Sequence, residues 1–255
     1  MGNALSYHSF ILGLICVAAV IIVFFYFIYR KNNKLHDIIH FIRSPQENCT
    51  TDLRVGSVMS SFLWYLIITL LFGISYHFVD LVLFNESLPS SSISDIQTML
   101  PLGVILIIPP LLEETAFRLP LKRKRIFITL SITAITFILS APVFSTSVYE
   151  IVWQKPVLCA VLAIIFWFWG YKWIQRADFR IWFWLMTILF SILHIMNYDL
   201  STLSFSEWER IILMEAIKIP SALLLGYTRL KHGFFISVAF HLLNNLTPFI
   251  LKNFI

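Results

Sequence analysis

Stretches of apolar residues long enough to cross a bilayer, about 20 residues each, recur along this chain with short polar gaps between them. Eight are legible, at 9–29, 58–84, 98–117, 126–144, 156–171, 181–198, 210–227 and 234–250. In hydrocarbon every backbone N–H and C=O must find a partner within the protein, which leaves helices as the structure for spans of this length. The expectation is an all-α polytopic membrane protein forming a single transmembrane domain over residues 1–255. Composition agrees: 58% of residues are hydrophobic and 13% are charged, more apolar surface than a soluble domain can hide. Neither an internal repeat nor a Gly-rich phosphate loop nor a soluble second domain is visible.

The basic residues give the orientation, because Lys and Arg concentrate in short cytoplasmic loops. One alternating set of gaps takes Arg30, Lys31, Lys34, Arg43 and Arg54, then Arg118, Lys122, Arg123, Lys124 and Arg125, then Lys172, Arg176 and Arg180, then Arg229 and Lys231. Those fifteen of the 19 basic residues predict that both termini lie outside, with 85–97 and 199–209 as exterior loops, in a plasma-membrane protein. The bias accounts for the basic pI of 9.2 without a nucleic-acid partner, and lipid is the expected surrounding. Gly2 with Ser6 fits a myristoylation pattern, but the first span follows at once and reads as an uncleaved anchor. Asn85 heads an exterior sequon. Cys16, Cys49 and Cys159 are too scattered for a disulfide framework or a cysteine-based zinc site.

Ionisable groups at membrane depth are costly and mark function by default. The third span carries Glu113, Glu114 and Arg118 just after Pro109 and Pro110. Glu114 and Arg118 are four apart and share a helix face, so they can pair. Glu113 is rotated by about 100° and lacks that partner. One carboxylate can therefore be structural while its neighbour serves as a base. The prolines disrupt the preceding turn, which is tolerated where backbone lines a cavity. In the sixth span His194 follows Phe190 by four residues, about 20 Å along the helix from Arg180. In the last span His241 and Asn245 project from one face and can both donate to a developing oxyanion, or bridge neighbouring helices. Asn244 faces elsewhere and reads as packing.

The ordered set Glu-Glu-x-x-x-Arg, Phe-x-x-x-His and His-x-x-x-Asn, each in its own span, resembles the CPBP family. That family of intramembrane proteases, also called Abi, includes the CAAX prenyl endopeptidases and bacteriocin-processing or immunity proteins. The stretch 223–233 leading to His241 is similar to the family's approach to its third motif, and the likeness covers roughly 101–249. It implies that Glu113 with His194 activates a water against a peptide carbonyl, that His241 and Asn245 hold the oxyanion, and that Glu114 and Arg118 support them. The implied substrate is a peptide or a prenylated or otherwise membrane-associated protein, cut near the cytosolic half of the bilayer. Glu113 and His194 stand further apart in sequence than the family pattern leads one to expect. The excess reads as two inserted helices within about 126–171, an even number that preserves the orientation of the motif helices.

Glu113, His194 and His241 could also supply three ligands to a catalytic zinc with water as the fourth. The chain has no His-Glu-x-x-His helix, and asparagine is a poor zinc ligand, so a metal-free glutamate and histidine mechanism with no cofactor is the expectation. A different class, a non-proteolytic scaffold or transporter, would draw on Glu215 and Lys218, three apart in the seventh span, as a structural ion pair or a transport relay.

Overall fold

The structure, a computed structural model, describes residues 32–83, 102–146, 148, 150–198 and 203–254. The expected first span, the loop 85–97, the start of the loop 199–209 and Cys16 lie outside these residues. Among the described residues the regular elements are helices: α1 (Asn33–Arg43), α2 (Val55–Leu83), α3 (Leu102–Phe117), α4 (Arg125–Val143), α5 (Gln154–Arg176), α6 (Phe179–Leu193), α7 (Phe205–Ala216), α8 (Lys218–Lys231) and α9 (Phe234–Phe254). Five segments among them are long and apolar enough to cross a membrane: Val55–Leu81, Arg125–Val143, Gln154–Arg176, Phe179–Asn197 and the α7–α8 pair over Glu207–Lys231. These correspond to five of the spans read from sequence. The apolar stretch at 234–250 lies within α9, and α3 covers 102–117 of the stretch at 98–117, whose first residues lie outside the described ones.

The outermost helix, α5, shows why such segments suit a bilayer. Trp153 at one end and Trp173 near the other are 72% and 74% exposed. They are 20 residues apart, a rise of about 30 Å, the thickness of the hydrocarbon layer with indoles at both interfaces. The helix widens into a π turn over Phe166–Gly170. A Cβ on Gly170 would fall 2.5 Å from the Phe166 ring, so only glycine lets that ring lie back on the turn. The turn presents Trp167 to Arg125, whose guanidinium lies 4.0 Å from the indole centroid, and so ties α5 to the start of α4.

The basic connection before α2 contains a helix that the span pattern did not reveal. Asn32 caps α1 by accepting from the Leu35 N–H at 3.0 Å. Leu35, Ile38 and Phe41 form its buried face, with Phe41 edge-on to Tyr227 and Phe183 at centroid distances of 5.3 and 5.6 Å. Polar bonds anchor its middle and the segment that follows: Tyr227 donates to Asp37 at 2.6 Å, and Glu47 accepts from the backbone N–H and Nε of Arg123, both at 2.8 Å. The segment 32–54 thus straps the basic end of the bundle.

The chain leaving α3 stays inside the protein. Phe117, Arg118, Leu119, Pro120 and Leu121 are all buried, Trp182 Nε1 donates to the Pro120 carbonyl at 3.1 Å, and Ser131 donates to the Ala116 carbonyl at 2.5 Å. This sunken turn ends α3 inside the packed core. The core around it joins Tyr65, Phe117, Phe183, Phe190, Leu225 and Phe240 from five helices.

Candidate active site

Glu114 and Arg118 pair as their spacing predicts. Arg118 Nε lies 3.6 Å from Glu114 Oε1, with side-chain exposures of 1% and 0%. The guanidinium also stacks 4.0 Å from the Phe190 ring centroid. Glu114 has two further partners, both on α9: Ser237 Oγ donates to Oε2 at 2.5 Å, and His241 Nδ1 lies 3.0 Å from Oε1. Ser237 and His241 are one helical turn apart, so a single carboxylate on α3 docks a whole face of α9.

Glu113 points the other way and meets both histidines. Its Oε2 is 3.8 Å from His194 Nε2 and 3.6 Å from His241 Nε2. The remaining ring nitrogens decide the proton positions. His194 Nδ1 is 2.7 Å from the Phe190 carbonyl, which can only accept, so Nδ1 carries a proton. His241 Nδ1 faces an ionised carboxylate and does likewise. In their neutral forms both imidazoles therefore aim Nε2 lone pairs at the Glu113 carboxylate. Phe190 packs against both rings, at centroid distances of 4.7 Å to His194 and 6.0 Å to His241, and fixes their planes.

The fold thus gathers Glu113, Glu114, Arg118, His194 and His241 from three distant stretches of sequence. Asn245 is exposed one turn beyond His241 and is not part of this contact set. His241 Nδ1 is committed to Glu114, and the ring turns Nε2 toward Glu113, not toward a shared face with Asn245. Ser237 is the participant that sequence reasoning missed. Its position four residues before His241 was the available signal, and its complete burial is what makes it matter.

His194 ends α6, 14 residues and about 21 Å along the helix from Arg180, as its place in the sequence predicts.

Glu215 and Lys218 form an ion pair at 2.6 Å near the same end. Ser191 donates to the Glu215 carbonyl, and Tyr198 donates to its carboxylate at 3.5 Å. Cys49 and Cys159 are free thiols. No group of three His, Cys, Asp or Glu side chains among the described residues is arranged to hold a metal ion.

These features define the class: an all-helical chain with several membrane-length apolar helices, enclosing a carboxylate and imidazole cluster between α3, α6 and α9. No family model, curated protein or solved structure matches the chain.

Proposed function

We propose that this protein is an intramembrane endopeptidase of the CPBP type, with eight spans, that hydrolyses a peptide bond in a membrane-associated peptide or protein. The observation that carries the reading is the convergence of Glu113 Oε2 on the Nε2 atoms of His194 and His241. Three acceptors facing one another are complementary to a molecule that brings O–H donors, and water is the smallest such molecule. Their separations exceed a direct hydrogen bond and suit a bridged one.

In the proposed reaction Glu113 and His194 orient the water, and Glu113 takes its proton as the oxygen attacks the peptide carbonyl. The carbonyl π bond opens onto its oxygen, and the tetrahedral oxyanion accepts a hydrogen bond from His241 Nε2–H. That donation uses the proton taken from the water, which passes from Glu113 to His241 Nε2, and the Glu114 carboxylate stabilises the imidazolium so formed. His241 then gives this proton to the leaving nitrogen as the C–N bond breaks, which restores the neutral imidazole and the Glu113 carboxylate. Arg118 and Ser237 act on this sequence through Glu114. The resemblance adds Asn245 as a second oxyanion donor.

Comparing peptides that accumulate in cells carrying the wild-type protein or the Glu113→Gln variant tests the reading and finds the substrate together. The expected result is loss of specific cleavage products with Glu113→Gln and with His194→Ala at unchanged folded yield. Identical peptide profiles would refute the assignment. Activity that survives exhaustive chelation supports the metal-free route, and loss rescued by zinc overturns it. A role in processing or in self-immunity against secreted peptides follows from the identity of those products.

A further inference from the structure

We infer that His36 and His40, on the outward face of the strap helix α1, form a two-imidazole site for a divalent metal ion of the zinc, nickel and copper class. The site shares no residue with the Glu113, His194 and His241 cluster and does not depend on the hydrolase reading.

The strap helix turns one face into the bundle and leaves the other open. Leu35, Ile38 and Phe41 are at most 5% exposed, whereas His36 and His40 are both exposed. Residues four apart on a helix sit one above the other, with Cβ atoms about 5–6 Å apart, so both rings emerge from the same strip of surface. There they lie nearly parallel, at an interplanar angle of 16° with centroids 6.4 Å apart. Two imidazoles that share a tetrahedral ion at about 2.1 Å from each nitrogen have centroids roughly 5 Å apart. Closing the observed separation takes about 1 Å, which small rotations of two exposed side chains supply.

The donor set selects the ion. Two neutral imidazoles offer nitrogen and no negative charge, which suits zinc, nickel and copper and excludes calcium and magnesium as tight ligands, since those require oxygen. Water completes the coordination. The exposed Arg43, three residues beyond His40, opposes a further cation on that side and keeps the site a modest binder. The backbone beneath the pair is held independently. Asn32 caps the first turn at Leu35, and Tyr227 bonds to Asp37, between the two histidines, at 2.6 Å. An ion therefore does not have to order the helix, and the entropy of doing so is not set against its affinity. Once bound it ties the turn at His36 to the turn at His40. Any opening of α1 that separates the rings then loses the ion, so the strap is stabilised over the bundle by linkage.

Full-length protein carrying no polyhistidine tag is purified in detergent, and zinc, nickel and copper ions are titrated separately by calorimetry. The expected result is a binding event whose affinity falls by about tenfold or more in His36→Gln and equally in His40→Gln, with copper held more tightly than nickel. Because both side chains are exposed, unfolding midpoints of the two variants in the presence of chelator should match the wild type, which separates loss of a ligand from loss of fold. Addition of the ion should raise the wild-type midpoint and leave those of the variants in place. An absence of binding by the wild type overturns the inference. So does a loss confined to one variant, which would mean a single-histidine contact only. Binding that survives in both variants and disappears in Glu113→Gln overturns it as well, by placing the ion at the buried cluster.

Discussion

Glu113 and Glu114 are adjacent in sequence and opposite in circumstance. Glu114 is fully buried with Arg118, Ser237 and His241 around one carboxylate, whereas Glu113 meets only imidazole nitrogens and retains exposure. Removing one partner from a buried ion pair leaves an uncompensated charge and costs about 3–5 kcal/mol. Glu114→Gln is therefore expected to lower thermal stability in detergent and to reduce cleavage by about a hundredfold, the scale of a lost general acid–base or oxyanion contribution. Glu113→Gln is expected to abolish cleavage with little change in the unfolding midpoint. Equal stability losses in the two variants would contradict this division. The pairing of Glu114 with Arg118 was legible because a spacing of four fixes a shared face. The role of Ser237 was not, because a serine in a helix reads as a filler until a carboxylate from another helix is seen to reach it.

At the scale of elements, the site depends on how closely α8 approaches α6. A Cβ on Gly226 would lie 2.8 Å from Phe183 Cε2 and 3.1 Å from Cζ, and Phe183 is wholly buried. The ring cannot swing away, so Gly226→Ala should destabilise by about 1–3 kcal/mol through overpacking, less the fraction of a kcal/mol gained in helix propensity. A shift in unfolding midpoint measures it, and a stabilised variant would show that the ring has room. Spans were readable wherever an element is apolar along a bilayer's length, as with α2, α4, α5 and α6. The strap helix α1 was not, since it is short, half polar and sits within a basic gap. Nor was the sunken turn 118–121, whose burial is set by what packs over it.

On the scale of the whole molecule, the connection 32–54, the α8–α9 turn and α2 meet at His232. Its Nδ1 donates to the Asp52 carbonyl at 2.5 Å, and its Nε2 lies 2.8 Å from Ser61 Oγ. Burial holds this imidazole below the ordinary histidine range, with the hydrogen bond to Asp52 opposing the effect in part. A histidine whose folded value is depressed favours the folded state while neutral, so its contribution is present above the unfolded value near 6.5 and lost as pH falls through the lower folded value. Unfolding midpoints should therefore drop between about pH 7 and pH 5, and His232→Gln should flatten that slope. A slope unchanged in the variant would assign it to other groups.

The sequence by itself determined the environment and the chemistry available. Apolar length dictates helices because hydrocarbon offers no partner to the backbone, and residues four apart on a helix must share a face. Only the tertiary structure decided which charged groups meet and which of them are buried. Those outcomes depend on contacts between segments more than 80 residues apart, such as Glu114 with Ser237 and with His241. No local spacing encodes them, because a helix fixes the direction of its side chains but not the neighbour they will face.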